Sequence, residues 1–507
     1  MVKIVYIPLD ERPCNYEYPL NMVQQVPQVI CKTLPKEMLG YKKNAADTTE
    51  SWAFIKKEVK DTNYLILSTE MVVYGGLLPS RIHELTPESK TTYMEKMRQL
   101  KIDQPQLKIF VSNLIMRTPR YNSNDEEPDY YGKFGERIFR YGWLKDQKNR
   151  GVVSEKEELQ RLENEIPQEV IKDYENRRAF NVAINLANIE LVEEGVIDFL
   201  AIPQDDSAPY GYTAMDQAQV YGQIERKNLK EKIMVYPGAD EVGFTLLARA
   251  YNEYKKRVPK VYVNYASTLG PTIVPMYEDR IINESLKAHV IACGMALTQN
   301  RTEADYYLAY NTPGKVMQES WDQRNQKDIT YDTYRHLLTF IQQISQALAE
   351  DMKVGICDSA FANGGDLELI AMLDKQKILK KVSVYKGWNT NCNSLGSTLA
   401  SLCFVDETAN IEKIRNNLLS NLFEDVFYQS IIRMNLTESM LGTIGTDYFD
   451  LKDQSQKVIE EVRQEMLTLS KRYLTHTIAT DALIFTKLAS PWNRMFEINC
   501  QVELKGE

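Results

Sequence analysis

The chain predicts an α/β protein: a (β/α)8-barrel-like N-terminal part, a second α/β unit and a helical C-terminal region. Three observations lead there. Short apolar runs of strand length alternate with helix-patterned stretches over the first 258 residues. Each run empties into a cluster of polar residues, which is where parallel α/β proteins hold their ligands. From Phe404 onward the pattern turns helical, with long amphipathic stretches at about 411–434 and 452–473. The expected boundaries are 1–258 for a barrel-like catalytic part, 259–404 for a second α/β unit contributing to the same pocket, and 405–507 for the helical region.

The first run, Lys3 to Pro8, opens into Leu9-Asp10-Glu11-Arg12-Pro13, two acids and an arginine directly past a strand. An arginine so placed can fork a carboxylate or a sugar hydroxyl, or neutralise its acidic neighbours. Asn63 to Ser68 is followed by Glu70 and by Tyr74-Gly75-Gly76-Leu77, whose glycines let a ligand approach the backbone closely. Tyr74 and Arg81 are candidates for a pocket wall. Leu107 to Ile115 exits into a long aromatic and acidic loop, 116–131, suited to a lid or a cleft wall. A helical region from Ser154 to about Glu194 crosses back.

Phe199 to Pro203 is a buried strand running into Gln204-Asp205-Asp206. One aspartate there is often only a turn residue, because its side chain bonds the local backbone. Two neighbouring acids repel and raise one another's pKa, which suits proton transfer. Lys232 to Tyr236 ends in Pro237-Gly238-Ala239-Asp240-Glu241, acids that can serve a pocket or cap the helix from Phe244 to Tyr251. Beyond Pro259, strands are expected at Val261–Tyr265, Ala288–Ala292, Tyr306–Tyr310, Lys353–Cys357 and Val382–Tyr385, with a helix at roughly Tyr331–Ala349. The last two strands lead into Asn363-Gly364-Gly365-Asp366 and Gly387-Trp388-Asn389-Thr390.

Bulk properties narrow the function classes. A formal charge of −9 argues against nucleic acid as the main partner. No stretch reaches the roughly 20 apolar residues of a membrane span, and the opening strand lacks the pattern of a signal peptide. Seven cysteines without a Cys-x-x-Cys suit reduced thiols, so the cytoplasm is the expected location. Four histidines without His-x-x-x-His spacing make a histidine zinc site unexpected. No Gly-x-Ser-x-Gly marks a serine nucleophile.

The six motifs Leu9–Pro13, Tyr74–Leu77, Gln204–Asp206, Pro237–Glu241, Ala362–Asp366 and Gly387–Thr390 together resemble those of domain of unknown function 4127, a bacterial family without an established activity. The likeness spans nearly the whole chain. A second resemblance is mechanistic: an Asp-Asp pair just past a barrel strand is similar to that of family 84 glycoside hydrolases. That likeness implies that Asp205 polarises the substrate's acetamido group while Asp206 protonates the leaving oxygen. Counting strand starts at Lys3, Asn63, Leu107 and Val196 puts the pair at the end of a fourth strand, unless Gln28 to Cys31 adds one.

The expectation is therefore a glycoside hydrolase acting on a small carbohydrate, with Asp205 and Asp206 catalytic and no cofactor or metal. Asp10, Arg12, Tyr74, Asp240, Glu241, Asn363, Asp366, Trp388 and Asn389 are expected to bind substrate. Two other readings stay open: a divalent-metal-dependent hydrolase or lyase built on the same carboxylates, and a carbohydrate-binding protein without turnover. Homo-oligomerisation is also open.

Overall fold

The computed structural model describes residues 1–152, 155–478 and 482–505. The expected helix start at Ser154 lies outside them; helices are described at Lys156–Glu165 and Gln168–Glu193. The chain divides into two compact units. The first comprises 1–11, 29–246 and 277–279; the second comprises 12–28, 247–276 and 280–507. The boundaries thus differ from those expected, because the N-terminal segment 12–28 and the whole C-terminal region belong to one unit.

The first unit is a parallel sheet. Its strands are β1 (Val2–Ile7), β2 (Val29–Thr33), β3 (Tyr64–Ser68), β4 (Lys108–Ser112), β5 (Phe199–Gln204) and β6 (Ile233–Pro237), in spatial order β2-β1-β3-β4-β5-β6. β3 and β5 are buried along their length, as uninterrupted apolar runs in a covered sheet must be. β2 alternates between half-buried and exposed residues, as a margin strand does.

The expected barrel is not shown: the described strands of this unit form a sheet of six whose order ends at β2 and β6. The physical reason lies in β2. It pairs outside β1 instead of between β1 and β3, and it moves the Asp205–Asp206 pair to the end of the fifth strand.

The second unit holds another parallel sheet, of β7 (Lys260–Tyr265), β8 (Ala296–Leu297), β9 (Tyr306–Asn311), β10 (Lys353–Asp358) and β11 (Val384–Lys386), ordered β11-β10-β9-β7-β8. The strand expected at Ala288–Ala292 is the end of a helix, Ile282–Ala292. Its buried residues Ile282, Ser285, Leu286, His289 and Val290 fall at helical spacing, which outweighs the short apolar run. The C-terminal region is helical as expected through Ile411–Asn421, Leu422–Ile432 and Ser455–Tyr473, and its Leu422, Phe427, Val462 and Met466 share a core with Ile356 and Ile370. It then ends in an antiparallel hairpin, β12 (Leu483–Ala489) and β13 (Asn499–Leu504), that the helical pattern hid. No described helix is long and apolar enough to cross a membrane.

Candidate functional site

Because β1 to β6 are all parallel, their exits lie along one edge of the first sheet, and the polar cluster is assembled there. β5 delivers Gln204 and then Asp205. Asp206, the next residue, adopts φ +42°, in the left-handed region that Asp and Asn tolerate better than most residues. The exit of β3 runs into a wide helical turn, Glu70–Tyr74, closed by Gly75 at φ +85°. A Cβ on Gly75 would sit 2.6 Å from the Ala46 carbonyl oxygen, so glycine is required on two counts. Past it, Arg81 is fully buried. β4 exits through Asn113 into the loop that carries Arg117, Glu126 and Glu127.

These residues form one ionic cluster. Arg81 Nη2 donates to Asp205 Oδ2 at 2.7 Å, and Arg81 Nη1 donates to Glu126 Oε2 at 3.0 Å and Glu127 Oε1 at 3.1 Å. Arg117 Nε donates to Glu127 at 2.8 Å, Arg117 Nη2 to Glu126 at 2.7 Å, and Arg117 Nη1 lies 3.5 Å from Asp206 Oδ2. Two guanidiniums thus bridge four carboxylates. Burial and the charge of Asp205 push the Asp206 carboxyl up to about 7, against the pull of Arg117 and Arg81. Both aspartates keep some access to solvent, with 15% and 27% of their side chains exposed.

Beside the ions lies a recess lined by Glu70, Tyr74, Arg81, Asn113 and Asp205, closed down to about the size of one water. Glu70 accepts from Asn113 Nδ2 at 2.8 Å, Leu114 N at 2.7 Å and Ser68 Oγ at 2.9 Å. Burial raises its pKa in spite of those donors. Three buried polar atoms here have no hydrogen-bond partner: Tyr74 OH, Glu127 Oε2 and Ser207 Oγ. Buried polar groups are nearly always paired, so three unpaired ones near one acid pair single this place out as the candidate site.

Residues 4–501 match the model of a family described as a protein of unknown function, DUF4127. The chain belongs to DUF4127. A search of curated proteins found no match for it.

Of the residues nominated from sequence in this DUF4127 protein, the structure brings Asp205, Asp206 and Tyr74 together. Asp240 and Glu241 follow the neighbouring strand β6 and are buried; Glu241 Oε2 accepts from Ala239 N at 2.9 Å, a local turn contact. Asp10 follows β1 and is buried, three strand positions from β5, or about 14 Å across the sheet. The other nominees belong to the second unit. Arg12 stacks on Trp492, 4.8 Å from the ring centre. Asn363 and Asn389, both at positive φ, are tied by Asn363 N donating to Asn389 O at 3.0 Å. Trp388 is half-buried with its ring edge-on to Phe496.

Asp366 is committed internally. It accepts from Arg335 at 2.5 Å and Asn311 at 3.1 Å, and it caps the helix Leu367–Lys375 through Glu368 N and Leu369 N. Burial opposes ionisation there, but Arg335 wins and holds the carboxyl below its ordinary value. Asp358 beside it accepts from Tyr385 OH, Asp366 N and Asn311 Nδ2.

From the sequence, Arg81 is expected as a wall residue and the 116–131 loop as a lid or wall. Nothing there singles out Arg117, Glu126, Glu127 or Asn113 of the DUF4127 cluster. The available signal was their position at the exit of β4, the same signal that selected the aspartates.

Proposed function

We propose that the protein is a glycoside hydrolase whose proton donor is Asp206. The observation that carries this is the split between two adjacent acids: Asp205 is fixed in an ion pair with buried Arg81, while Asp206 keeps its proton up to about pH 7. Glycosidic cleavage needs a proton donor of raised pKa beside a group that stays charged. In the substrate-assisted version, Asp206 gives its proton to the departing glycosidic oxygen. The acetamido oxygen of the sugar attacks the anomeric carbon, and Asp205 accepts a hydrogen bond from the acetamido N–H and stabilises the cationic ring that forms. Water then opens that ring and returns a proton to Asp206.

The recess is too small for a sugar as it stands, so binding must part the loop that carries Arg117, Glu126 and Glu127 from Arg81. The orphaned Tyr74 and Ser207 hydroxyls then supply hydrogen bonds to the sugar. We take the cytoplasm as the place of action, since no disulfide joins cysteines among the described residues.

A panel of aryl glycosides, with and without a 2-acetamido group, tests the reading. Turnover of the acetamido substrates, insensitive to chelator and abolished in Asp206→Asn, supports it. Turnover lost with chelator and restored by divalent metal replaces it with a metal-dependent hydrolase, and sugar binding without any turnover replaces it with a carbohydrate-binding role.

A further inference from the structure

A second cavity lies wholly within the second unit and shares no residue with the aspartate cluster. It has a volume of about 280 Å³, near the lower end of small-molecule sites. Its walls come from the helix Glu17–Val23 and the residues after it, from the margin strand β11, from the helix Ile411–Asn421 and from β13. Side-chain amides are the commonest polar groups in the lining, Asn21, Gln25, Asn417, Asn421 and Gln501 among them, beside the charged Lys386, Lys413 and Glu503. Gln25 is 4% exposed, and its Oε1 is buried without a hydrogen-bond donor. An amide oxygen in that state costs roughly 1–3 kcal/mol unless a donor reaches it.

Each amide offers both N–H donors and a carbonyl acceptor, and a hydroxyl group is likewise both. A wall of amides therefore matches a ligand that presents several hydroxyls. The charge in the wall is of both signs, Lys386 and Lys413 against Glu503, and both lysines are engaged, Lys386 donating to Asn421 Oδ1 at 3.0 Å and Lys413 to Gln24 O at 3.3 Å, so it does not call for an ionic ligand. We propose that this cavity is a binding site for a neutral polyhydroxylated molecule of monosaccharide size, with Gln25 Oε1 accepting from one of its hydroxyls. The site stands whether or not the aspartate cluster is catalytic.

Isothermal titration of Asp206→Asn protein with glucose, N-acetylglucosamine and myo-inositol tests it. The expected result is a saturable, one-to-one event for at least one of these, weakened at least tenfold when Gln25→Leu is added. An event that survives Gln25→Leu unchanged belongs elsewhere and overturns the proposal, as does the absence of any heat from all three. Should Gln25→Leu fail to fold by circular dichroism, Asn417→Ala, on the half-buried helix wall, is judged by the same tenfold criterion.

Discussion

Replacing Arg81 with methionine removes the guanidinium while keeping an unbranched side chain in its place. Arg81 is 2% exposed and pairs with Asp205, Glu126 and Glu127. Removing one partner of a buried ion pair typically costs 3–5 kcal/mol, because a charge is left without compensation. Here Glu127, at 1% exposure, keeps Arg117 at 2.8 Å, while Asp205 and Glu126 reach some water. The lower end applies, about 3 kcal/mol. For a unit of this size each kcal/mol moves the midpoint by about 2–4 °C, so the first unit's melting transition should fall by roughly 6–12 °C at pH 7. Differential scanning calorimetry reads the effect, and Arg81→Lys should fall between, keeping the charge but not the fork. A loss below about 1 kcal/mol would refute the view that Arg81 holds this cluster together.

For Asp206→Asn, catalysis should vanish with the fold intact, and the wild-type kcat/KM should fall as pH rises through about 7, where the donor loses its proton. The same shift has a stability consequence. A carboxyl whose folded value lies above its unfolded one binds protons more tightly when folded, so its contribution is lost as pH climbs from about 4 to 7. The variant should therefore gain on wild type over that range, by at most about 4 kcal/mol and by less given 27% exposure, read from urea midpoints at pH 4 and pH 8. Tyr74→Phe removes a hydroxyl without a partner and should leave stability unchanged or up to about 1 kcal/mol higher while lowering turnover; a loss of stability in urea would mean the hydroxyl is bonded after all. Gly365→Ala puts a Cβ 2.0 Å from Tyr385 OH and 3.2 Å from Asp358 Oδ2, so about 1–3 kcal/mol or more should be lost, and an unaltered urea midpoint would contradict that packing.

The strands that could be read from sequence are those whose whole length is covered. β3 and β5 are uninterrupted apolar runs, and with them came the acid pair at the exit of β5. β2 was ambiguous because a margin strand buries little, and its Lys32 faces outward. The spatial order of strands was not readable, since a barrel and an open parallel sheet set the same polar exits after the same apolar runs. That ambiguity produced the barrel expectation. The arginines of the cluster escaped for a different reason: Arg81 stands 124 positions from Asp205, and nothing local to either announces the pairing. In the tail, Leu483–Ala489 mixes lysine and threonine with apolar residues, so its hairpin partnership with β13 outweighed a weak local signal.

Neighbours along an extended chain point to opposite sides of a sheet, so twin acids inside β5 could never address the same pair of cations. It is the sharp turn of the backbone at Asp206 that brings the second carboxylate round to join the first. A relative that kept both letters but lengthened the strand by a single residue would therefore carry the motif and lose the partnership, and would be expected to lack whatever chemistry the two perform in concert.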